Sequence, residues 1–167
     1  MVVKVSLLYA CETWTLYNRH MKLLNSFHLT CLRSILRVKW QDKITNSDIL
    51  SHTNMFSINT LIERSQARWA GLVVRMDETR IPKQLIYCEL TEGNRHQGRP
   101  KLRYKDCIKS TLKSLEIPFE SWEEVSMNRQ NWRRKIHEGA ISAESRRRQE
   151  AEDKRKQRKA KTSARTI

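Results

Sequence analysis

Aspartate is scarce in this sequence, with five residues in the chain and no two of them adjacent. Phosphoryl or nucleotidyl transfer with two metal ions needs carboxylates that converge on the ions. None of the five lies in an apolar segment typical of a strand that carries a metal site. The five histidines are scattered, and spacing alone pairs none of them with a serine or cysteine nucleophile. We therefore predict that the chain is not an enzyme, and that it has no catalytic residue, cofactor or small-molecule substrate.

Long apolar runs are also absent. A membrane-spanning helix needs about 20 predominantly apolar residues, whereas the N-terminal run MVVKVSLLYA is short and contains Lys4. Cys11 and Glu12 follow this run, where a signal peptide would need small residues for cleavage. We therefore expect an intracellular protein with no membrane partner.

Closely spaced cysteines are missing as well, since no two fall within a C-x-x-C distance. We interpret the four cysteines as reduced thiols that are mostly buried. Zinc is the alternative, with ligands drawn from Cys11, His20, His28 and Cys31. Structural zinc sites usually present close ligand pairs on tight loops, and this spacing does not, so we predict no metal.

Glycine is rare too, and two of the four glycines, Gly93 and Gly98, fall in GNRHQGRPKLRYKD, residues 93–106, which we call the basic loop. Pro100 predicts the start of a helix, and a helix start attracts anions. Guanidinium and ammonium groups contact phosphates, and glycine lets backbone N–H groups approach them. We therefore predict nucleic-acid binding by the five cations of this loop; the alternative is a solvated connection between two helices. These cations are Arg95, Arg99, Lys101, Arg103 and Lys105.

Positive charge dominates the rest of the chain. Lys and Arg total 33 against 18 acids, a net charge of +15, which favours anionic partners, here RNA and/or DNA. Residues 140–167 carry ten cations, four acids and almost no large apolar side chain. We predict that they form a disordered or solvent-exposed basic tail that does not pack. Non-specific nucleic-acid contact and nuclear import are both open to it, which makes a nuclear location our expectation.

Apolar residues at helical spacing predict an all-α domain over residues 1–139, with five or six amphipathic helices. Start signals lie at Asn18, Thr45, Ser57, Pro82 and Pro100, and Ser121 with Glu124 is spaced as a capping box. The last helix is expected to end at Gly139. The run from Val3 to Ala10 suits a strand as well as a helix, so the N-terminus stays open.

Several side chains are expected in the core from this pattern. The first long helix carries an apolar stripe of Leu24, Phe27, Cys31 and Ile35. Tyr104 shares its spacing with Ile108, which favours a core position over stacking on a base. The tryptophans are interpreted as structural: Trp69 lies on a helix stripe, Trp122 and Trp132 clasp two helices, and Trp14 and Trp40 pack together. The alternative for each of them is a platform on which a base stacks.

Six segments follow one another along the chain: LLYACETWTL, FHLTCLRSILRVKWQDKITNSDIL, LIERSQARWAGLVVRM, RIPKQL, GRPKLRYKDCIKSTLKSL and NRQNWRRKI. In this order they resemble the region that follows the polymerase domain in non-LTR (LINE-type) retrotransposon endonuclease-reverse transcriptases. The resemblance runs from about Val2 to about Ile136. The family form has Gly where this chain has Ala10, and its pattern WxGHVxRM appears here as Trp69 to Met76 with Leu72 in place of His.

The resemblance implies a thumb-like and C-terminal region that grips template RNA and primer DNA. In the family, the metal-binding aspartates of the RNA-directed DNA polymerase and the endonuclease domain both lie upstream. We therefore expect this chain to be a fragment without catalytic residues, with the rest of a reverse transcriptase as a further partner. Two alternatives stay open: a helical protein-interaction module, and a decayed element with no selected function.

Overall fold

The computed structural model describes residues 2–88, 98 and 101–163, and over these residues the protein is all-α, as predicted. The N-terminal run forms a helix, which removes the strand alternative. The described helices exceed the expected number because this run and the segment after Ser121 each form a short helix. They are α1 (Val2–Leu7), α2 (Asn18–Leu36), α3 (Asn46–His52), α4 (Ile58–Val74), α5 (Ile81–Tyr87), α6 (Tyr104–Ser114), α7 (Trp122–Met127) and α8 (Arg129–Ser163).

Helix α4 is the centre of the fold and packs against α2, α5, α6, α7 and α8. It can do so because Ala67, Ala70 and Gly71 are buried and let neighbouring helices approach closely. A Cβ atom at Gly71 would overlap the indole ring of Trp132 on α8. The indole Nε1–H of Trp132 donates a hydrogen bond to the carbonyl oxygen of Ala67 at 3.0 Å. Trp132 therefore lies directly on the backbone of α4.

The largest core cluster lies between α4, α6, α7 and α8. Trp122 and Trp132 are both buried there, with ring centroids 6.2 Å apart, which confirms that they clasp two helices. Burial of each large apolar side chain contributes about 1.5–3 kcal/mol to folding. The buried members of this core cluster are Ala67, Ala70, Val74, Ile108, Leu112, Leu115, Ile117, Trp122, Trp132, Ile136, Ala140 and Ala143.

Two smaller clusters hold the N-terminal half. Cys11 is buried with the start of α4, and Trp14 packs against this group. Leu32 of α2 is buried with Ile49 and Leu50 of α3. The expected Trp14–Trp40 pair is wrong, because Trp40 follows the far end of α2 and is 84% exposed.

Helix α2 does not bury the stripe expected of it. His28 and Leu32 are its buried residues, whereas Phe27 is 50% exposed and Ile35 is 74% exposed. Apolar residues occupy a wide arc of this helix, and only α3 and α4 make its principal helix contacts. Periodicity alone could not reveal which part of the arc the neighbours cover.

Some helix ends follow the predicted signals and others do not. Thr45 caps α3 through a reciprocal pair, in which Asp48 N–H donates to Thr45 Oγ1 and Thr45 N–H donates to Asp48 Oδ2, each at 3.2 Å. Ser121 makes no side-chain cap to α7, so that part of the predicted capping box is wrong. Helix α6 begins at Tyr104, four residues after the expected start at Pro100, which lies outside the described residues.

The expected packing limit at Gly139 is also wrong. Helix α8 passes through Gly139 without a break, and Ala140 and Ala143 are fully buried. Arg147 forms an ion pair of 2.5 Å with Glu63 of α4. Ala140 and Ala143 lie on the same face of α8 as Trp132 and Ile136, and they are small enough to fit against α4 and α6. The helix therefore continues to pack beyond Gly139. Residues 149–162 are helical and exposed, and residues 164–167 lie outside the described part of the chain.

Candidate nucleic-acid interface

Three of the five residues that are predicted to contact phosphates lie in the described part of the chain. Lys101, Arg103 and Lys105 are exposed where the chain enters α6. Arg103 is the residue before the helix and has extended backbone dihedrals, φ −86° and ψ 155°. Arg95 and Arg99 lie outside the described residues, and so does Gly93.

Gly98 is the only described residue between 89 and 100, and it is exposed with φ +111°. This conformation is one that side-chain-bearing residues rarely adopt. The sequence therefore places glycine in the basic loop at a position that needs it.

An acid accompanies the basic side chains at the start of α6. Asp106 lies 3.7 Å from Nε of Arg103, and both side chains are substantially exposed. The same carboxylate accepts the backbone N–H of Arg103 at 3.2 Å and so caps the first turn of α6. An exposed ion pair of this kind contributes at most about 1 kcal/mol. A phosphate can therefore compete for the guanidinium, although Asp106 reduces the net charge of this turn.

A groove of about 730 Å³ lies beside Lys101, the first of these cations. Lys101, Leu102 and Asp106 line one side, and Asn18 and Arg19 at the start of α2 line another. The two sides are joined by a hydrogen bond of 3.3 Å, from the backbone N–H of Leu102 to the hydroxyl oxygen of Tyr17. The start of α6 is therefore held against the start of α2.

The electrostatic character of this groove is mixed. The first turn of α2 has no acidic residue and contains the exposed Arg19 and His20, so the positive end of the helix dipole is not neutralised there. Glu63 and Asp106 also line the groove. Glu63 is paired with Arg147, and Asp106 caps α6. The groove is therefore lined by two cations, Arg19 and Lys101, and by two acids that are each engaged with another residue.

Tyr104 occupies the core position that its spacing predicted. Its ring meets Trp69 edge-on, with centroids 5.4 Å apart and planes at 89°, and its hydroxyl donates to the carbonyl oxygen of Glu12. Burial raises the pKa of the Tyr104 hydroxyl well above its usual range. The ring is therefore engaged inside the protein.

The residues of the zinc alternative do not come together. Cys11 is buried in an apolar cluster, and burial raises the pKa of its thiol, which disfavours the thiolate that zinc binds. His28 is buried on α2 and His20 is exposed. Within residues 2–88 and 101–163, no three His, Cys, Asp or Glu side chains form a group that could hold a metal ion.

Trp40 lies on the surface, where only its expected packing against Trp14 fails and the alternative of a stacking platform stays open. It is 84% exposed and lies between Arg37, Lys39 and Lys43 in the segment RVKWQDK. The signal was present in the sequence, since an aromatic residue among cations is typical of nucleic-acid surfaces.

Among the helices that the structure describes, none has the length and apolarity needed to cross a membrane. Comparisons of the chain with protein-family models, with curated proteins and with solved structures find no match.

Proposed function

We propose that this chain is the nucleic-acid-binding C-terminal region of a non-LTR retrotransposon reverse transcriptase, and that it grips the sugar-phosphate backbone of RNA or an RNA–DNA duplex without catalysing a reaction. The observation that carries the proposal is the exposure of Lys101, Arg103 and Lys105 where the chain enters α6, in a chain of net charge +15. Lys101 also shares a groove with the uncapped start of α2. Basic groups in this arrangement release counterions when they contact phosphates.

Two positions of the resembled family pattern support this parentage on physical grounds. The family has glycine where this chain has Ala10, and Ala10 has φ +56°, a left-handed conformation that glycine adopts most easily. The glycine that the two share, Gly71, lies where any side chain would overlap Trp132. Both family glycines therefore fall where this fold favours glycine.

A shared arginine supports the same inference. Arg75 donates a hydrogen bond to the carbonyl oxygen of Ser126 near the end of α7. Desolvation, with a smaller contribution from Arg129, lowers the pKa of the Arg75 guanidinium from its ordinary value. Its role in this fold is to join α4 to α7, which suits a structural position in the pattern.

The test is a titration of RNA and of an RNA–DNA duplex at two salt concentrations, followed by fluorescence anisotropy. Simultaneous replacement of Lys101, Arg103 and Lys105 by Ala should weaken binding and flatten the salt dependence by about one unit per lost phosphate contact. The matched control replaces Arg129, Arg133 and Arg134 by Ala. These residues are also exposed, so the control removes an equal number of positive charges elsewhere on the surface.

Equal weakening by the two triple variants would mean that total charge, and not this site, determines binding. Absence of salt-dependent binding by the unaltered chain would contradict the function itself. Replacement of Arg95 and Arg99 tests the remaining predicted contacts, and each should flatten the slope further if it touches a phosphate.

A second candidate function has its own observation. Leu23, Phe27 and Ile35 are 62%, 50% and 74% exposed along α2, which suits docking of another protein or of the rest of a reverse transcriptase. This candidate predicts a complex with a co-expressed polymerase region that survives nuclease treatment. Leu23→Ser with Phe27→Ser should abolish that complex and leave nucleic-acid affinity unchanged.

A further inference from the structure

Trp40 is presented on a turn whose backbone is fixed on both sides. Before it, the N–H of Val38 donates to the carbonyl oxygen of Arg33 at 3.0 Å, which closes the end of α2. After it, the carboxylate of Asp42 accepts the N–H of Lys39 at 2.7 Å. A turn held in this way loses little freedom when a ligand binds to it.

The residues that bracket this turn, Arg37 and Lys43, both have left-handed backbone conformations, with φ +54° and +50°. A left-handed residue is common where a helix ends, and Arg37 ends α2 while Lys43 ends the 3-10 turn that begins at Trp40. The turn therefore projects an 84% exposed indole from a backbone that is defined at both ends.

The surroundings of Trp40 are strongly basic. Arg37, Lys39 and Lys43 are exposed near it, and Asp42 is the one acid between residues 33 and 45. Arg33, one turn earlier, is partly exposed, and it binds the side-chain oxygen of Asn46 at 2.5 Å. Charge complementarity at this surface favours a polyanion over an apolar protein segment, even though Ile35 is also exposed nearby.

A second basic element reaches this end of the molecule. Arg148 of α8 donates to Ser51 of α3 at 3.3 Å, and α3 in turn packs against α2. Hydrogen bonds from Thr45 lower the pKa of Asp48 on α3, and the positive charge of Arg155 contributes to the same shift. The exposed basic part of α8 therefore passes the helix that follows the Trp40 turn.

We propose that Trp40 is a stacking platform for a base of single-stranded nucleic acid, and that the cations of the turn hold the adjoining phosphates. This inference rests on the proposed function and adds to it a second contact with unpaired strand. Every base offers a face for stacking on an aromatic ring, so the site requires exposed bases and no particular sequence. A duplex cannot use it, because its bases are already stacked on one another.

The position of the Trp40 platform suggests which part of a nucleic acid binds there and which part binds beside Lys101. Helix α2 begins at the groove beside Lys101 and ends just before the Trp40 turn. With 19 residues it is about 28 Å long. A nucleic acid that changes from duplex to single strand over that distance would contact both ends of α2.

The experiment compares three fluorescein-labelled probes of equal length, about 20 nucleotides. They are oligo-dT, an abasic strand with the same phosphates and no bases, and an RNA–DNA duplex. Each probe is titrated with the unaltered full chain and with the variants Trp40→Ala and Trp40→Phe. Tyr9→Ala serves as the control because Tyr9 is also highly exposed, at 79%. Circular dichroism confirms that each variant keeps its helix content.

Trp40→Ala should weaken oligo-dT binding on the order of tenfold, because one base–aromatic stack is lost. Trp40→Phe should retain most of the affinity, and Tyr9→Ala should retain all of it. The abasic strand and the duplex should bind Trp40→Ala as tightly as the unaltered chain.

An unchanged oligo-dT affinity in Trp40→Ala would overturn the platform while leaving the proposed function intact. Equal losses on the oligo-dT and abasic probes would also overturn it, because the effect would not involve bases. Failure of the unaltered chain to bind any probe, with salt or without, would overturn the proposed function and this inference together.

Discussion

Glu144 of α8 accepts a hydrogen bond from the hydroxyl of Thr60 on α4 at 2.6 Å, across 84 positions of sequence. The same oxygen accepts the N–H and the hydroxyl of Ser57 at 3.2 and 2.7 Å. Glu144 is only 4% exposed, and Arg148 lies 3.7 Å from its other oxygen. A carboxylate from the supposed tail therefore satisfies the start of the central helix, where Ser57 itself provides no cap.

Replacement of Glu144 by Ala should destabilise the fold by about 3 kcal/mol, because buried donors of Ser57 and Thr60 lose a charged acceptor. The measurement is the free energy of urea unfolding. Glu150→Ala is the matched control on the same helix, since Glu150 is 57% exposed and forms only a long pair of 3.9 Å with Lys154.

The control should lose no more than about 0.5 kcal/mol. If Glu144→Ala lowers the free energy of unfolding no more than Glu150→Ala does, the Glu144 carboxylate does not stabilise α4. Glu144→Gln should fall between the two, because the amide keeps one acceptor.

Gly71→Ala should destabilise the fold by about 2 kcal/mol, through overlap of the new methyl group with the Trp132 ring. A loss of stability would be diagnostic of this overlap, since Gly→Ala inside a helix otherwise stabilises the fold by about 1 kcal/mol. Thermal and urea unfolding would measure the change.

The same substitution in a Trp132→Leu background isolates the contact. There the penalty for Gly71→Ala should shrink, because the ring that the methyl group meets is gone. An identical penalty in both backgrounds would show that the contact is not the cause.

Ala10→Gly should stabilise the protein by about 1 kcal/mol, because φ +56° strains alanine and not glycine. The midpoint of urea unfolding would report the gain. Ala151→Gly, at an exposed position of α8, makes the same chemical change in ordinary helix and should give no stabilisation. A gain of equal size at both positions would refute the backbone explanation.

Asp48→Asn should destabilise the fold in a pH-dependent way. Hydrogen bonds from the Thr45 hydroxyl and backbone N–H hold the pKa of Asp48 below its ordinary value. A depressed pKa stabilises the fold above the unfolded value, about 3.9, and this contribution is lost as the pH falls through the folded value. The difference from the unaltered chain should be largest near neutral pH and disappear in acid.

The measurement for this variant is urea unfolding over a series of pH values. Asp153→Asn controls for the loss of one negative charge, because Asp153 is an exposed aspartate whose carboxylate accepts a hydrogen bond from Gln149. A stability difference for Asp48→Asn that stays constant down to strongly acidic pH would contradict the assigned role of the carboxylate.

Local signals allowed much of the fold to be predicted. Thr45 and Ser57 precede helices where their sequence context indicated. The apolar spacing of α4 predicts a buried face, and Ile58, Leu61, Ile62 and Val73 are buried, whereas Leu72 of the same stripe is 48% exposed. These predictions succeed because capping and amphipathic spacing act within one or two turns. The end of α8 could not be found in this way, since a helix rich in charge and alanine packs only if another helix offers it partners.

The candidate interface was predictable to a smaller extent. The cluster of cations before α6 was visible in the sequence, and the structure describes three of them as exposed. The expected helix start at Pro100 was wrong, because Asp106 caps a helix that begins later. Trp40 was expected to pack against Trp14 because the two flank the first long helix, whereas burial depends on which surfaces neighbouring helices cover.

By itself, the sequence determined that this protein is helical, basic and without a recognisable set of catalytic carboxylates, because these properties follow from composition and local spacing. Only the tertiary structure decided that α8 is part of the core, that Glu144 supports α4 and that Trp40 faces outward. Those outcomes depend on contacts between residues far apart in the chain, and no local pattern specifies which surfaces meet.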